Sequence, residues 1–439
     1  MKKMEYRPNG VNVLSLFDGI SCGQLALERA NIKVNTYIAS EIKKFAINHT
    51  MEKYPSTLSA GDVTKLHYVR RTKTLYANCK RRVIDSLANH SGKMEWTKDE
   101  VAKFKKKGYK LSPNGEVVKW TYDKSNIVFE GEIDLLIGGS PCQGFSSAFN
   151  YCKNPNKGLK HIQSKLFFEY LRLLEEVKPT YFLLENVVMK KKDQIALNKY
   201  LGVEGIAINS KLLSYQNRPR MYWTNIKGVT APKDANIDFQ NYMLKTLPKV
   251  ERWIRASKFE GNTKPLELTK SEIEHIYSTN LWAYKELKAI NPFLTKEGFV
   301  NELHNKILWE ACVKKAPFRD KMWNNGTSQG EYVSKNITNE SKIGCLCRKQ
   351  DRSPNSGCIS FDSYFRLLSR LEICRAQNIP YKFMDAMSYT QIQDGCGDGW
   401  TIDVIAHIFG ALDKVYDFGV VAKENVESVS SLVSLPMAA

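Results

Sequence analysis

The chain lacks any uninterrupted apolar run approaching the roughly 20 residues a membrane-spanning helix requires, and the closing LVSLPMAA at 432–439 is too short to span. It also lacks the apolar core and small-residue cleavage pattern of a secretory leader. MKKMEYRPNG instead runs straight into VNVLSLF, so the expectation is a soluble protein in a reducing compartment. The 10 cysteines are too few and too scattered for a disulfide scaffold in 439 residues. Cys345, Cys347 and Cys358 lack the paired spacing of a zinc site, so Cys345 and Cys347 read as free thiols and no metal is expected. Internal repeats, heptads and low-complexity tracts are missing, which excludes a solenoid, a coiled coil or a disordered chain. Acidic residues are in deficit, 46 against 65 Lys and Arg, leaving a formal charge of +19 that points to a polyanionic partner or to a heavily solvated surface.

What is present is length and apolar content. With 43% hydrophobic residues the chain can bury a sizeable core as one catalytic domain with a lobe or insertion, or as two unequal domains. Compact apolar runs alternate with helix-compatible stretches: VNVLSLF, CGQLALERA, VNTYIASE and KKFAINHTMEKY, then EIDLLIGG, SKLFFEYLRLLEEV and TYFLLENV. Successive βα units of this kind predict an α/β fold, a mainly parallel sheet with helices on both faces and an active crevice beyond the carboxyl ends of its strands.

Two segments interrupt that rhythm. Residues 65–124 hold 16 Lys or Arg against 6 Asp or Glu, so one seventh of the chain carries more than half of the excess charge. Within it CKRRVIDSLANH is compatible with a helix, and KFKKKGY with LSPNGEVVKWTY suggests a hairpin around Pro-Asn-Gly. The cluster is either a solvated insertion or a surface that follows a phosphate backbone. From Gly228 to about residue 360 the sequence is less regular, with aromatics among Lys, Asn and Glu, and reads as a second lobe. SYFRLLSRLEICRAQ and GWTIDVIAHIFGALDKVY again look helical and return to the first domain.

Phe17-Asp18-Gly19-Ile20-Ser21-Cys22-Gly23 follows a strand and opens a helix, giving tight turns, a carboxylate and helix amides for a ligand, or else an ordinary strand-to-helix turn. Glu41 and Asp62 each end an extended segment, where a carboxylate can take ribose hydroxyls or cap a helix. Ser140-Pro141-Cys142-Gln143 follows DLLIGG, so the strand end presents Cys142 either as a nucleophile or as an inert buried thiol. Glu185 ends another strand, and Gln216-Asn217-Arg218-Pro219-Arg220 follows a further extended stretch. These charges can act on a base, hold an acceptor oxygen or simply pair with each other.

Taken in order, FDGISCG, Glu41, Asp62, SPCQ, LENV, QNRPR and GDGWTIDVIAHIF resemble the DNA cytosine-5 methyltransferase family over most of both ends of the catalytic region. Asp398 and Gly399 stand where that family often has an Asn-Ser pair, and the middle of the chain diverges. FDGI and VIAHIF are also similar to the vertebrate de novo branch, against which the basic insertion and large lobe argue. The resemblance implies an S-adenosylmethionine-dependent methyltransferase Rossmann-like fold. Residues 11–227 would form the catalytic domain with its insertion at 65–124, 228–360 a smaller target-recognition lobe, and 361–420 the return. It implies S-adenosyl-L-methionine held by Phe17, Asp18, Gly19, Gly23, Glu41, Asp62, Trp400 and Thr401, and an extruded cytosine of double-stranded DNA as acceptor. Cys142 would attack C6, Glu185 would serve N3 and Arg220 the O2 edge. Arg218 would support the loop or the DNA backbone, while Ser140 and Gln143 would position the loop. Arg319 and Lys321 are candidate target contacts. The setting implied is the cytoplasm or nucleoid of a bacterium, or a host cell if phage-encoded, with protein partners unknown. An inactive DNA-binding scaffold and an RNA cytosine-5 methyltransferase remain open as alternatives.

Overall fold

A computed structural model describes residues 10–87, 106, 110–111, 117–123, 126–141, 166–313, 322–324, 327–329, 335–348, 355–361 and 364–413. Cys142, Gln143, Arg319, Lys321 and much of the basic insertion lie outside the described residues.

The chain opens with β1 (Val11–Leu16), α1 (Cys22–Arg29), β2 (Val34–Ser40), α2 (Lys44–Lys53) and β3 (Leu58–Ser59), the three strands lying parallel. Six strands follow: β4 (His67–Val69), β5 (Thr74–Ala77), β6 (Lys80–Leu87), β7 (Lys110–Leu111), β8 (Val117–Asp123) and β9 (Asn126–Glu130). β4, β5 and β9 make one small antiparallel sheet and β6, β8 and β7 another. The helix expected over CKRRVIDSLANH is therefore a strand through Leu87. Its Arg82 and Val83 stand opposite Thr121 and Trp120, so pairing with the β-rich VVKWTY run outweighs a weak local helix preference. β7 and β8 pair antiparallel on either side of the expected hairpin turn, whose Pro-Asn-Gly lies outside the described residues.

β10 (Leu135–Gly139), α3 (Leu166–Val177), β11 (Tyr181–Val187), α4 (Lys191–Leu201), β12 (Ile206–Asn209) and β13 (Pro219–Thr224) complete the main sheet. Its order is β12-β13-β11-β10-β1-β2-β3, and β13 alone runs against its neighbours. Chain direction through the sheet reverses between β1 and β10, which opens a crevice beyond their carboxyl ends. The apolar runs exist because both faces are covered. Leu14, Leu16, Leu136, Phe182 and Leu184 pack with Phe167, Tyr170 and Leu173 of α3, whereas Val11, Val13, Leu135, Ile137 and Leu183 share the opposite core with Ala26 and Leu27 of α1.

Beyond the sheet come α5 (Pro248–Phe259), α6 (Lys270–Thr279), α7 (Leu281–Lys288) and α8 (Lys296–Glu302). They are followed by β14 (Cys312–Val313), β15 (Met322–Asn324), β16 (Thr327–Gln329), β17 (Ile359–Phe361) and β18 (Tyr364–Arg366). The last four helices among the described residues are α9 (Arg370–Ala376), α10 (Tyr381–Met384), α11 (Tyr389–Asp398) and α12 (Ile402–Asp413). SYFRLLSRLEICRAQ is thus strand first and helix afterwards, because Ser369 and Glu372 form a capping box that starts α9 only at Arg370. One apolar cluster runs without a break from β1 through Phe239, Ile254, Phe299 and Ile359 to Phe409 of α12, so the change at residue 228 is one of chain path and not of core. Arg366, buried, forks both guanidinium arms onto Glu372 at 2.7 and 2.9 Å, and Glu372 also takes the Leu244 N–H, which locks the lobe to the return. α12 covers α1, its Ile402, Ile405, Ile408 and Phe409 are buried, and Asp403 pairs with Arg29.

Candidate active site

The loop leaving β1 is strained where a ligand would sit. Phe17 and Ser21 adopt left-handed φ of 59° and 58°, as does Gly19 at 61°, and only the glycine does so without steric cost. Asp18 accepts the Ser21 hydroxyl at 2.5 Å and the Tyr37 hydroxyl at 2.7 Å. Burial pushes its carboxyl above the ordinary aspartate value; hydrogen bonds from Ser15, Ser21 and Tyr37 pull the other way, and the Glu41 charge adds to the rise. Gly23 admits no side chain, since a Cβ there would stand 2.6 Å from both the Tyr37 hydroxyl and Ile137.

Glu41, at the end of β2, accepts the Gly19 N–H at 2.8 Å through one oxygen and those of Ile42 and Lys43 at 2.7 and 2.9 Å through the other. A carboxylate offers about four acceptor sites, so one remains for a ligand hydroxyl. Asp18 and Glu41 both line a pocket open to solvent, together with Ala39, Ile47, Thr50, Met51, Thr57 and Ser59. Thr50 is buried, and its hydroxyl has no hydrogen-bond partner among the described residues. Ile42, 72% exposed, stands next to Glu41 in the chain. Asp62 does not line this pocket. It takes the Thr64 N–H and hydroxyl at 2.9 and 2.8 Å and caps a short 3-10 turn.

The second half of the site rests on the neighbouring strands β10, β11 and β13. Ser140, just beyond β10, is buried and fixed by the Asn186 amide, which donates to its hydroxyl at 3.0 Å and to its carbonyl at 3.2 Å. Glu185 on β11 meets Arg220 on β13, with Oε1 2.9 Å from Nε, and both side chains are largely buried. The Trp400 indole donates to the other Glu185 oxygen at 3.2 Å. Gly139 leaves room for this, because a Cβ there would lie 3.0 Å from both Glu185 Oε2 and Trp400 Nε1. The same indole lies 3.7 Å from where a Gly23 Cβ would stand, so Trp400 touches both halves of the site.

Arg218 is a brace. Buried, it donates to the carbonyls of Leu346, Gly397 and Gly399 at 2.7, 3.0 and 2.9 Å, tying the start of β13 to the lobe and to the return. Thr401 is also buried, in a network with Gln377 at 2.6 Å and Ser210 at 2.8 Å. The QNRPR stretch opens β13 rather than simply following a strand, which is what places Arg220 opposite Ile208 and Val187. Tyr37 and Thr50 were not singled out from sequence, Asn186 entered only as part of LENV, and Cys345 was read as a free thiol. Tyr37 and Asn186 sit inside strand patterns that read as framework, and their hydroxyl and amide partners come from other elements.

A parallel sheet with one reversed strand, its switch at β1 and β10, defines a Rossmann-like core of the S-adenosylmethionine-dependent methyltransferase kind, carrying a separate lobe of helices and strands. The model of the C-5 cytosine-specific DNA methylases matches residues 83–414, and the chain belongs to that family. DNA (cytosine-5)-methyltransferase DRM2 of Arabidopsis thaliana is 28% identical over 171 residues, covering 39% of this chain and 20% of that protein. Orphan methyltransferase M.SPRI of Bacillus phage SPR is 36% identical over 121 residues, 25% of this chain and 26% of its own. Type II methyltransferase M.FnuDI of Fusobacterium nucleatum is 29% identical over 135 residues, 28% and 36% respectively. The chain thus spans about a fifth to about a third of the length of these curated relatives. They are plant, phage and bacterial, so the likeness holds for the family and not specifically for the vertebrate de novo branch.

S-adenosyl-L-methionine is the methyl donor of this family. The residues present fit it: two carboxylates and the unpartnered Thr50 hydroxyl line the pocket beyond β1 and β2. Among the described residues no cluster of His, Cys, Asp or Glu could hold a metal ion, and no helix is long and apolar enough to cross a membrane.

Proposed function

We propose that this chain methylates C5 of cytosine in double-stranded DNA through a transient bond between Cys142 and C6. The observation that carries the reading is the Glu185–Arg220 pair, set on adjacent strands and closed over by Trp400, at the same sheet edge as Ser140, two residues before Cys142. Such a pair suits a pyrimidine edge, with a carboxyl group for N3 and a guanidinium for the O2 acceptor.

The donor would sit with its charged methionine end toward Asp18, its ribose hydroxyls at the spare acceptor site of Glu41 and its adenine against the exposed face of Ile42. When bound it supplies the methyl group. Asp62 would reach the adenine side only with the oxygen its cap leaves over, and Thr401 would seat the loop carrying Trp400. Phe17, Gly19 and Gly23 shape the loop.

The target base is extruded from the duplex, since its ring carbons are closed to attack within the stack. The Cys142 thiolate adds to C6 while Glu185 hydrogen-bonds N3 and stabilises the charge that builds on the ring. C5 then takes the methyl group. Loss of the C5 proton to a base expels Cys142 and restores the double bond, leaving S-adenosyl-L-homocysteine. Arg220 holds O2, Arg218 keeps β13 in place, and Ser140 and Gln143 position the loop.

Residues 228–360 would read the target sequence, with Arg319 and Lys321 as candidate contacts, and the basic segment 65–124 would follow the phosphate backbone. The relatives from a phage and a bacterium support a role in bacterial or phage DNA modification, with or without a paired restriction nuclease.

The test is to incubate the protein with isotopically labelled donor and a duplex DNA library, then sequence with a readout that separates C5 from N4 methylation. C5 label that disappears in Cys142→Ser is expected. Label on RNA alone, or DNA binding without label, would replace this reading with an RNA enzyme or a scaffold.

A further inference from the structure

Cys345 lies on a stretch that runs back beside the start of β13. Gln216 and Ile343 form a parallel bridge, Asn217 donates its N–H to the Ile343 carbonyl at 2.9 Å, and the Gln216 side chain takes the Leu346 N–H at 2.8 Å. This framing puts the Cys345 sulfur 3.5 Å from Arg218 Nη1 and 3.8 Å from Arg220 Nη2. Arg220 is therefore held from several sides: Nε faces Glu185, Nη1 donates to the Pro219 carbonyl at 2.9 Å, and Nη2 faces sulfur.

We propose that Cys345 is a positioning residue for methyl transfer, its sulfur setting the plane of the Arg220 guanidinium and so the place where the Glu185–Arg220 pair meets the base. The inference rests on the role given above to that pair.

The electrostatics agree with the geometry. A hydrogen bond from the Cys347 thiol and the charges of Arg218 and Arg220 outweigh burial and hold the Cys345 thiol well below its ordinary value, while sharing that hydrogen bond drives the Cys347 thiol up. The Leu346 carbonyl oxygen, 3.4 Å from the sulfur, favours a protonated thiol, but it is one dipole against two full guanidinium charges. A guanidinium is a rigid planar fork, so an anion on one arm fixes the direction of the others. With the sulfur removed, the freed arm can turn toward the second Glu185 oxygen, engage it bidentately and take it from the base. A displacement of about 1 Å in such a group costs on the order of a hundredfold in rate.

The experiment compares wild type with Cys345→Ala, Cys345→Ser and Cys345→Asp, measuring kcat and KM for methyl transfer, melting temperature and the ¹⁵Nε resonance of Arg220, assigned with Arg220→Lys. Cys345→Ala is expected to lower kcat about 10- to 100-fold with donor KM and melting temperature near wild type, and to shift the Arg220 resonance. Cys345→Asp restores most of both signals because it returns an anion, and Cys345→Ser restores less. An alanine variant with wild-type kcat and an unmoved resonance overturns the proposal, as does a rate loss that follows melting temperature and is not recovered by aspartate. A wild-type protein that methylates no nucleic acid defeats the enzymatic reading instead, and the resonance still decides whether the sulfur positions Arg220.

Discussion

Replacing Asp18 by asparagine separates what the donor needs from what the fold needs. In the free protein the Asp18 carboxyl is raised above 3.8, first by burial and then by the neighbouring Glu41 charge, despite the Ser15, Ser21 and Tyr37 hydrogen bonds. A carboxyl raised on folding contributes stability in full below its unfolded value, and that contribution is lost as pH rises through the folded value. At neutral pH the ionised group is thus a cost to the fold. The amide carries no charge, and the Ser21 and Tyr37 hydroxyls can rotate to meet it, so Asp18→Asn is expected to melt at or above the wild-type temperature. Donor binding moves the other way. A lost charge-assisted hydrogen bond to a cationic donor is worth about 1.5–3 kcal/mol, or roughly 10- to 150-fold in Kd. Calorimetric titration with S-adenosyl-L-methionine and thermal melts, both at pH 7.5 without DNA, read the two effects. Wild-type affinity should also tighten as pH rises through the Asp18 value, and the variant should lose that dependence. A variant that melts several degrees lower while binding the donor normally would refute the reasoning and make Asp18 a brace of the loop.

Gly139→Ala should lower methyl transfer at least tenfold, because its Cβ would stand 3.0 Å from both Glu185 Oε2 and Trp400 Nε1; overpacking of this kind costs about 1–3 kcal/mol in a denaturant titration. Arg218→Ala leaves the Leu346, Gly397 and Gly399 carbonyls without their guanidinium donor, and a loss of about 3–5 kcal/mol is expected by the same measurement. His49 is buried edge-on against Phe383, with no partner for either ring nitrogen among the described residues, and burial lowers it to about 4. Its contribution is present above the unfolded value of 6.5 and is lost as pH falls toward 4, so wild type should lose about 1–3 kcal/mol more than His49→Leu between pH 7 and pH 4.5.

The sheet was legible because strands covered on both faces appear as unbroken apolar runs, and β1, β2, β10 and β11 all lie where such runs stand. β6 was not. Lys80–Leu87 carries no apolar run of its own, and its pairing partner β8 begins 30 residues further on. In the site, Asp18, Glu41, Glu185 and Arg220 end or open strands at one edge, which their order along the chain already suggested. Tyr37 and Cys345 act through partners 19 and 125 residues away, a relation that neither periodicity nor motif spacing encodes. Asp62 shows the opposite limit, since one local pattern serves both a ligand role and a cap; the structure shows the cap on one carboxylate oxygen, which is compatible with either role.

The docking of α12 on α1 has a consequence for biosynthesis. Leu27 leaves the ribosome long before Ile405, roughly 20–75 s earlier at 5–20 residues per second, and until then the apolar flank of the first helix has no permanent cover. A nascent chain must spend that interval shielded by a chaperone or by provisional contacts. A stop codon anywhere before residue 402 would yield an aggregating product and not a weakened enzyme, so losing α12 amounts to losing α1.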